Sequence, residues 1–374
     1  MHNLYLAALC AVTPGLGRKR ILSLTQRLGG ARAVFEADAK TLLATGLVRA
    51  RAVDNFLANR KADLPQKIAY FCQQEGVRLL ALNDADYPGA LRQTSDPPPV
   101  LYVKGTLPRA DYCIAVVGSR ACTAYGERAA AYFAGALARR GIPIVSGGAR
   151  GIDTAAHEAC LAAGGQTVAV MGCGLDVNYP PENGVLFKRI VQRQGALLTE
   201  YPPGIAPLPG NFPARNRIIV GLSCGVLVAE AARRSGAIIT ANIAADEGRE
   251  VYCVPGNIFD KTSIGCHELI RMGAKLVDEP QDILEDKEGW ELRGRQKISQ
   301  PNIFEAEEPE PAASAAAVSE LGGRLLQLLQ GGARTLEELT EQSGENFAAV
   351  SMELLELQAA GLAAVDQAQR YYRR

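Results

Sequence analysis

Net charge is the first thing this 374-residue chain lacks, with 40 Lys and Arg against 40 Asp and Glu and a pI near 6.8. That balance excludes a protein that holds nucleic acid by a global positive field; any such site must be a local patch. Histidine is scarce at three residues. His157 and Cys160 share a helical spacing, but two ligands do not make a zinc site, so both are read as structural and no metal is expected. Apolar runs are only strand-length, well short of the roughly 20 residues a spanning helix needs, so no membrane partner is expected. The apolar start, Leu4 to Val12, has no preceding Lys or Arg, and Leu9 suits no small-residue cleavage site; it reads as a core helix. The nine cysteines form no CxxC pair, and many lie in apolar runs. They read as buried, reduced thiols, which points to the cytoplasm. Also missing are a GxxxxGK[ST] loop, a GxSxG elbow and a strict GxGxxG after the first strand, which argues against a P-loop NTPase and a serine hydrolase.

What is present is a change of pattern along the chain. Residues 1–65 read as helical, with Pro14-Gly15-Leu16-Gly17 as a hairpin before a periodic run to Gly29. Such a hairpin (the helix-hairpin-helix or SAM-like type) either offers backbone amides to DNA phosphates or is simply a tight turn. Residues 66–286 alternate short apolar runs with helix-length segments. The strands are expected at Ile114–Val117, Ile142–Val145, Thr167–Met171, Ala196–Thr199, Gly225–Ala229, Val251–Val254 and Lys275–Val277. Between them lie helices at Glu127–Arg140, Ile152–Ala163, Pro181–Gln194, Phe212–Leu222, Ala237–Asp246 and Cys266–Met272. This alternation predicts an α/β fold: a Rossmann-like, doubly wound, mostly parallel sheet with helices on both faces. Residues 287–318 are acidic, Pro-containing and then Ala/Ser-rich, as in a solvated linker. Residues 319–374 carry helices near Arg324–Gln330, Leu336–Gln342 and Phe347–Ala360 before a closing apolar segment, in the order of a winged helix.

In an open α/β sheet, ligands bind beyond the carboxyl ends of the strands. Those ends here carry Gly118-Ser119-Arg120, Ser146-Gly147-Gly148-Ala149-Arg150-Gly151, Gly172-Cys173-Gly174 and Pro255-Gly256. Glycine permits close backbone approach, helix N-termini offer free N–H groups, and Arg120 and Arg150 add fork-shaped donors. Together they predict an anion-binding rim; tight βα turns alone would need the glycines but not the arginines and serines. Phe212-Pro213-Ala214-Arg215-Asn216-Arg217 opens a helix. Its arginines suit phosphates, and Phe212 suits either a stacked base or ordinary core packing. Asp153, Asp176, Glu200 and Glu230 lie near strand ends without a metal constellation; Asp153 reads as a pin for the Arg150 loop and Glu230 as a holder of a neighbouring loop. In the terminal domain, the third helix carries Glu353 and Glu356 but no Lys or Arg, so it reads as a surface for a protein partner more than for duplex DNA, with Arg370, Arg373 and Arg374 as a basic tail.

At these residues the chain resembles the DprA/Smf family. The matching pieces are Tyr87-Pro88 with Leu91; Pro98-Pro99-Val100-Leu101-Tyr102 with Gly105; Val117-Gly118-Ser119-Arg120 with Tyr125-Gly126; and Ser146 to Asp153 with Ala156-His157. They continue through Gly174-Leu175-Asp176, Tyr179-Pro180 and Glu182-Asn183 to Phe212 to Ile219, Glu230-Ala231, Ser235-Gly236, Ile239-Thr240-Ala241 and Val254-Pro255-Gly256. They span about residues 87–275. The resemblance implies a non-catalytic, cofactor-free binder of single-stranded DNA that protects incoming DNA in natural transformation, loads the RecA recombinase and forms homodimers. It places phosphates at the Gly118-Ser119-Arg120 and Ser146-Gly147-Gly148 loops and the strand along Phe212 and Arg215, Asn216 and Arg217. The Tyr179-Pro180-Pro181 and Pro207-Leu208-Pro209-Gly210 loops lack the lysines family members often place there, which leaves Lys261 and Arg150 to compensate. A dimer contact near Leu269 and Ile270 is also expected. The competing readings are a phosphoribohydrolase-like nucleotide enzyme using the same rim with Asp153 and Glu230, and a duplex-DNA regulator acting through residues 319–374. The first lacks a Pro-Gly-Gly-x-Gly-Thr loop, and the second lacks basic residues in its third helix.

Overall fold

The computed structural model describes residues 1–12, 15–108, 112–286, 319–330, 332, 334–345, 349–351, 353–354, 357, 362–365 and 370–373. Pro14, the 287–318 segment, Glu356 and Arg374 lie outside the described residues. Contacts divide the chain into two units, Met1–Gln300 and Pro301–Arg374.

The first unit begins with six helices: α1 (His2–Ala11), α2 (Arg18–Arg27), α3 (Ala31–Glu36), α4 (Ala39–Ala44), α5 (Ala50–Asn59) and α6 (Leu64–Glu75). Local chemistry sets several of their ends. The Asp38 side chain caps α4 by accepting from the Thr41 N–H at 2.8 Å, and Gly76 ends α6 in the left-handed region at φ 63°. α6 runs through residue 65 and feeds β1 (Val77–Ala81). A short helix α7 (Gly89–Arg92) and β2 (Val100–Gly105) follow.

The alternating region then runs β3 (Ile114–Gly118), α8 (Ala124–Arg139), β4 (Ile144–Ser146), α9 (Ile152–Ala162), β5 (Thr167–Val170), α10 (Gly184–Gln192) and β6 (Ala196–Thr199). It continues α11 (Asn211–Gly221), β7 (Gly225–Glu230), α12 (Gly236–Asp246), β8 (Glu250–Cys253), α13 (Ile264–Arg271), β9 (Lys275–Leu276) and α14 (Pro280–Leu284). Each expected strand and helix of this region is found within a few residues of its expected bounds. All nine strands form one sheet in the order β1-β2-β6-β5-β4-β3-β7-β8-β9. β3 through β9 pair in parallel. The β1–β2 and β2–β6 pairs are antiparallel, an edge that the alternating pattern alone does not predict. Chain order runs outward from β3 in both directions, so the topological switch point lies between β3 and β7.

Burial explains why these segments become strands. All six residues of β7 are buried, as a strand covered on both faces requires. Along β3, Ala115 and Val117 join one core while Ile114 and Val116 join the core on the opposite face, which is the period-2 alternation of a pleat. The edge pair works the same way. Leu80, Leu101 and Val103 face the central core, whereas Val77, Ala81, Val100 and Tyr102 pack with Leu9, Leu24, Phe35 and Phe56 of the N-terminal helices. The helical segment therefore shares a core with the sheet edge.

The second unit holds α15 (Glu320–Gln330), α16 (Leu336–Ser343) and helical residues within 349–357, then β10 (Ala363–Val365) antiparallel to β11 (Tyr371–Arg373). Leu325, Leu329, Leu339, Val350, Leu354, Leu357 and Ala363 form its core. Thr335 and Glu338 close a capping box at the start of α16, and Gly344 at φ 73° ends it. This is a winged helix. Ser319, just before α15, donates to Glu353 of the third helix at 2.6 Å. Among the described residues, no helix is long and apolar enough to cross a membrane.

Candidate nucleic-acid interface

The parallel strands deliver their loops to one edge of the sheet. After β3, the Ser119 N–H bonds the Glu230 carbonyl at 2.8 Å and the Ser119 carbonyl takes the Ile152 N–H at 3.2 Å, so the loop is held between β7 and α9. Gly118 is required here by packing: a Cβ would stand 2.5 Å from Ile152 Cγ1 and 2.8 Å from the Glu230 carbonyl. Arg120 extends from this held backbone into solvent.

Phe212, in the first turn of α11, lies half-buried under Arg120, whose guanidinium carbon stands 4.8 Å from the ring centroid. Tyr179 packs on Phe212 with centroids 5.5 Å apart. Gly172, just beyond β5, lies against the ring, since a Cβ there would stand 3.0 Å from Phe212 Cδ1. The result is a ring fixed between a tyrosine, a backbone floor and an exposed arginine. Such a cation–π contact contributes about 0.5–1 kcal/mol at an exposed site, little enough for a ligand to displace the arginine. Tyr179 was not among the expected site residues; the signal available was its place in the Tyr179-Pro180 piece of the pattern.

Arg215 is placed differently from the expected phosphate contact. It is 3% exposed, and its guanidinium donates to the Gly147 carbonyl at 2.5 Å and to the Val170 carbonyl. A Cβ on Gly147 would stand 2.6 Å from the guanidinium nitrogens, so this glycine makes room for an internal arginine. Burial pulls the Arg215 pKa down to about 10, opposed by the Asp153 charge. Asp153 in turn is raised by burial, against the pull of Arg215, and accepts from the Ala149 N–H at 3.2 Å. It pins the Arg150 loop.

The other expected residues divide by exposure. Arg150 is exposed and pairs with Glu182 at 2.8 Å. Ser146 is buried and donates to the Val116 carbonyl at 2.6 Å; Gly148 is buried at φ 65° over Phe187; Asn216 is 9% exposed. Arg217 turns toward the N-terminal helices, bonding Glu200 at 2.5 Å and the Asp96 carbonyl at 2.7 Å. Arg18 reaches the same Glu200 at 2.6 Å and Asp96 at 3.1 Å, so two arginines and two acids join α2 to α11. Lys261 is exposed on the loop after β8, apart from the Phe212 cluster. Leu269 is part of the main core at 5% exposed, and Ile270 is half-buried beside it. His157 is fully buried against Thr167 at 2.7 Å, and burial drives its pKa down to about 3, with the Arg215 charge adding. The ring is neutral and structural.

The arrangement is a shallow edge, not an enclosed cavity: exposed arginines and one fixed aromatic above a floor of backbone. It can meet phosphates with Arg120, Ser119 and Arg150 and offer a ring face to a base.

Comparison with known proteins gives the same direction. Residues 78–288 match the family model described as DNA recombination-mediator protein A, and residues 309–366 match the DprA winged helix domain. The chain is 44% identical over 250 residues to Protein Smf of Escherichia coli (strain K12), covering 67% of this chain and 66% of that protein, just under two thirds of its length. It is 48% identical over 206 residues to DNA processing protein DprA of Streptococcus pneumoniae, covering 55% of this chain and 72% of the relative. The X-ray structure of DprA from Streptococcus pneumoniae superposes with a TM-score of 0.64 at 36% identity, covering 76% of this chain and 98% of that one. DNA processing protein A from Helicobacter pylori, whose structure is described as giving insight into a single-stranded DNA binding mode, superposes with a TM-score of 0.51 at 30% identity, covering 57% of this chain and 96% of that one.

Proposed function

Because the chain belongs to the DNA recombination-mediator protein A family, the DprA/Smf proteins, we propose that it binds single-stranded DNA along the carboxyl edge of its sheet. The observation that carries this reading is the Phe212 station, a half-buried ring between Tyr179 and an exposed Arg120. A base stacks on a ring face in a sequence-tolerant way, and its phosphates need cations one step away. Duplex DNA hides its ring faces, so this geometry favours an unpaired strand. Arg120, Ser119 and Arg150 take the phosphates, with Gly118, Gly147 and Gly148 as the backbone floor. Ser146 and Arg215 hold that floor from beneath, Asn216 is buried beside Arg215 in the sequence of α11, and Arg217 fixes α11 against the N-terminal helices.

The reading extends to the biological role the family resemblance implies. The bound strand is shielded and passed to a RecA-type recombinase in natural transformation, in the cytoplasm, without catalysis or a cofactor. The chain acts as a homodimer through the α13 region, by way of Ile270; Leu269 serves the core beneath it. The winged helix docks a protein partner.

The test is fluorescence anisotropy of a labelled oligothymidylate strand against a matched duplex at two salt concentrations. Tight binding of the strand that weakens as salt rises, by roughly 0.7 logarithmic units per decade of salt for each phosphate neutralised, supports the reading. Equal affinity for blunt duplex, or no dependence on salt, refutes it.

A further inference from the structure

The loop leaving β8 reads Asn257-Ile258-Phe259-Asp260-Lys261. Two of its large apolar side chains stand in water: Ile258 is 74% exposed and Phe259 85%. The backbone beneath them is well fastened. Asn257 Oδ1 accepts the Phe259 N–H at 3.0 Å, the Asn257 carbonyl accepts the Asp260 N–H at 3.1 Å, and the Asp260 carbonyl accepts the Ser263 N–H at 3.0 Å. The entry to the loop is tied by the Tyr125 hydroxyl, which donates to the Pro255 carbonyl at 2.5 Å, and by His267 Nε2 on the Gly256 carbonyl at 3.0 Å. Gly256 has no room for a side chain, since a Cβ would stand 2.1 Å from Ser263 Oγ. A ring held out of the core by a pinned turn is a presented surface, because a loose loop would fold an apolar ring back onto the protein.

The position of this ring points to its occupant. β8 is parallel to β7, and β7 to β3, so the loop leaves the same sheet edge as Arg120. Strands lie about 4.8 Å apart, which puts β8 on the order of 20 Å along that edge from β5, where Gly172 underlies Phe212. Three cations and two acids lie nearby. Lys261 and Arg234 are exposed, and Arg233 is exposed and paired with Glu268 at 2.7 Å; Asp260 is the acid of the turn itself.

We propose that Phe259 is a second base-stacking platform, so that a single strand of nucleic acid crosses the switch point from Phe212 to Phe259 with its phosphates toward Arg120, Arg234 and Lys261. This rests on the single-strand reading above and extends it to a two-station path. A ring beside cations, with Ile258 as its exposed apolar neighbour on the turn, fits a base better than a protein contact, which would bury a broader apolar patch.

The test uses the full chain and two labelled oligothymidylates, one of about five nucleotides and one of about twenty, bracketing the roughly 4–16 nucleotides such grooves cover. Wild-type protein should bind the long strand much more tightly than the short one. F259A should keep the short-strand affinity and lose about five- to hundredfold on the long strand, the usual worth of one base–aromatic stack. F259W should gain a tryptophan signal, relative to wild type, that the long strand quenches and the short strand does not. Long-strand affinity equal to wild type in F259A overturns the platform while leaving the Phe212 station standing. A fall in self-association with unchanged DNA binding overturns it in favour of a protein contact. Failure of the wild-type protein to bind either strand overturns the single-strand reading together with the platform.

Discussion

Arg215 and Arg120 both face Phe212, yet their substitution should produce opposite phenotypes. Arg215→Ala removes a buried guanidinium that satisfies the Gly147 and Val170 carbonyls. Each buried acceptor left without a partner costs about 1–3 kcal/mol, and the vacated space beside Gly147 adds a cavity cost of similar order. The expected loss is therefore at least about 3 kcal/mol, a large part of the roughly 5–15 kcal/mol that holds a domain together. At about 2–4 °C per kcal/mol for a unit this size, the midpoint should fall by on the order of 10 °C. Arg120→Ala touches an exposed side chain that approaches Phe212 at 4.8 Å. Its stability cost should stay below about 1 kcal/mol, while its phosphate contact disappears, costing about tenfold in strand affinity and reducing the salt slope by about 0.7. Urea melts of both variants, paired with anisotropy at two salt concentrations, separate the two cases. If Arg215→Ala melts like wild type and loses strand affinity, the guanidinium reaches the ligand and its assignment as an internal strut is wrong.

The His157 ring, neutral with a pKa driven down to about 3 from 6.5 by burial, should make the fold acid-sensitive. A depressed folded-state pKa gives stability that is present above about 6.5 and lost as pH falls toward 3, amounting to about 2 kcal/mol by pH 5. Urea melts at pH 7 and pH 5 should show that loss in wild type and not in His157→Asn; parallel losses in both would locate the titration elsewhere. Glu200 receives both Arg18 and Arg217, so Glu200→Gln should leave the two guanidinium groups sharing Asp96 as their one remaining acid. The expected cost is about 2–3 kcal/mol, at the low end for a buried pair because Arg18 is 39% exposed. Limited proteolysis should then cut the N-terminal helices free of the sheet sooner than in wild type, and an unchanged cleavage rate would show that the network does not fasten them.

How much of this was legible in the sequence depended on burial. The parallel strands were readable because both of their faces are covered, and that writes continuous apolar runs such as Ile114–Val117 and Gly225–Ala229 into the chain. The antiparallel edge was not: Val77–Ala81 includes the exposed Arg78 and follows directly on a helix, so it breaks the alternation that reveals the others. The position of Arg120 and Phe212 at the carboxyl edge of the sheet was readable from their place after a strand and at a helix start. Arg215 lies in the interior, a placement that reading arginine by its charge alone does not give. Helical spacing held that placement, since Arg215 stands three and four residues before Ile218 and Ile219 and so shares the face that α11 buries. Arg217 could be assigned only in three dimensions, because its partners Asp96 and Glu200 come from distant segments.

The switch point supports the proposed single-strand reading over a nucleotide-sized ligand. In doubly wound folds a phosphate sits at the helix N-terminus beyond the strand where the order reverses. Here that helix is α8, and the chain supplies its own anion. Glu230, 2% exposed at the end of β7, accepts from the Thr123 N–H at 3.2 Å and from the Thr123 hydroxyl at 2.6 Å. Gly126 leaves space for it, since a Cβ there would stand 2.2 Å from Glu230 Oε2. A phosphate in the same place would meet a carboxylate at close range, with like charges repelling in a poorly solvated position. With the central crevice filled, the groups left for a ligand lie on either side of it: Arg120 above Phe212 toward β5, and Phe259 with Lys261 beyond β8. One small nucleotide cannot use stations so far apart, whereas a flexible single strand can pass over the filled crevice and touch both.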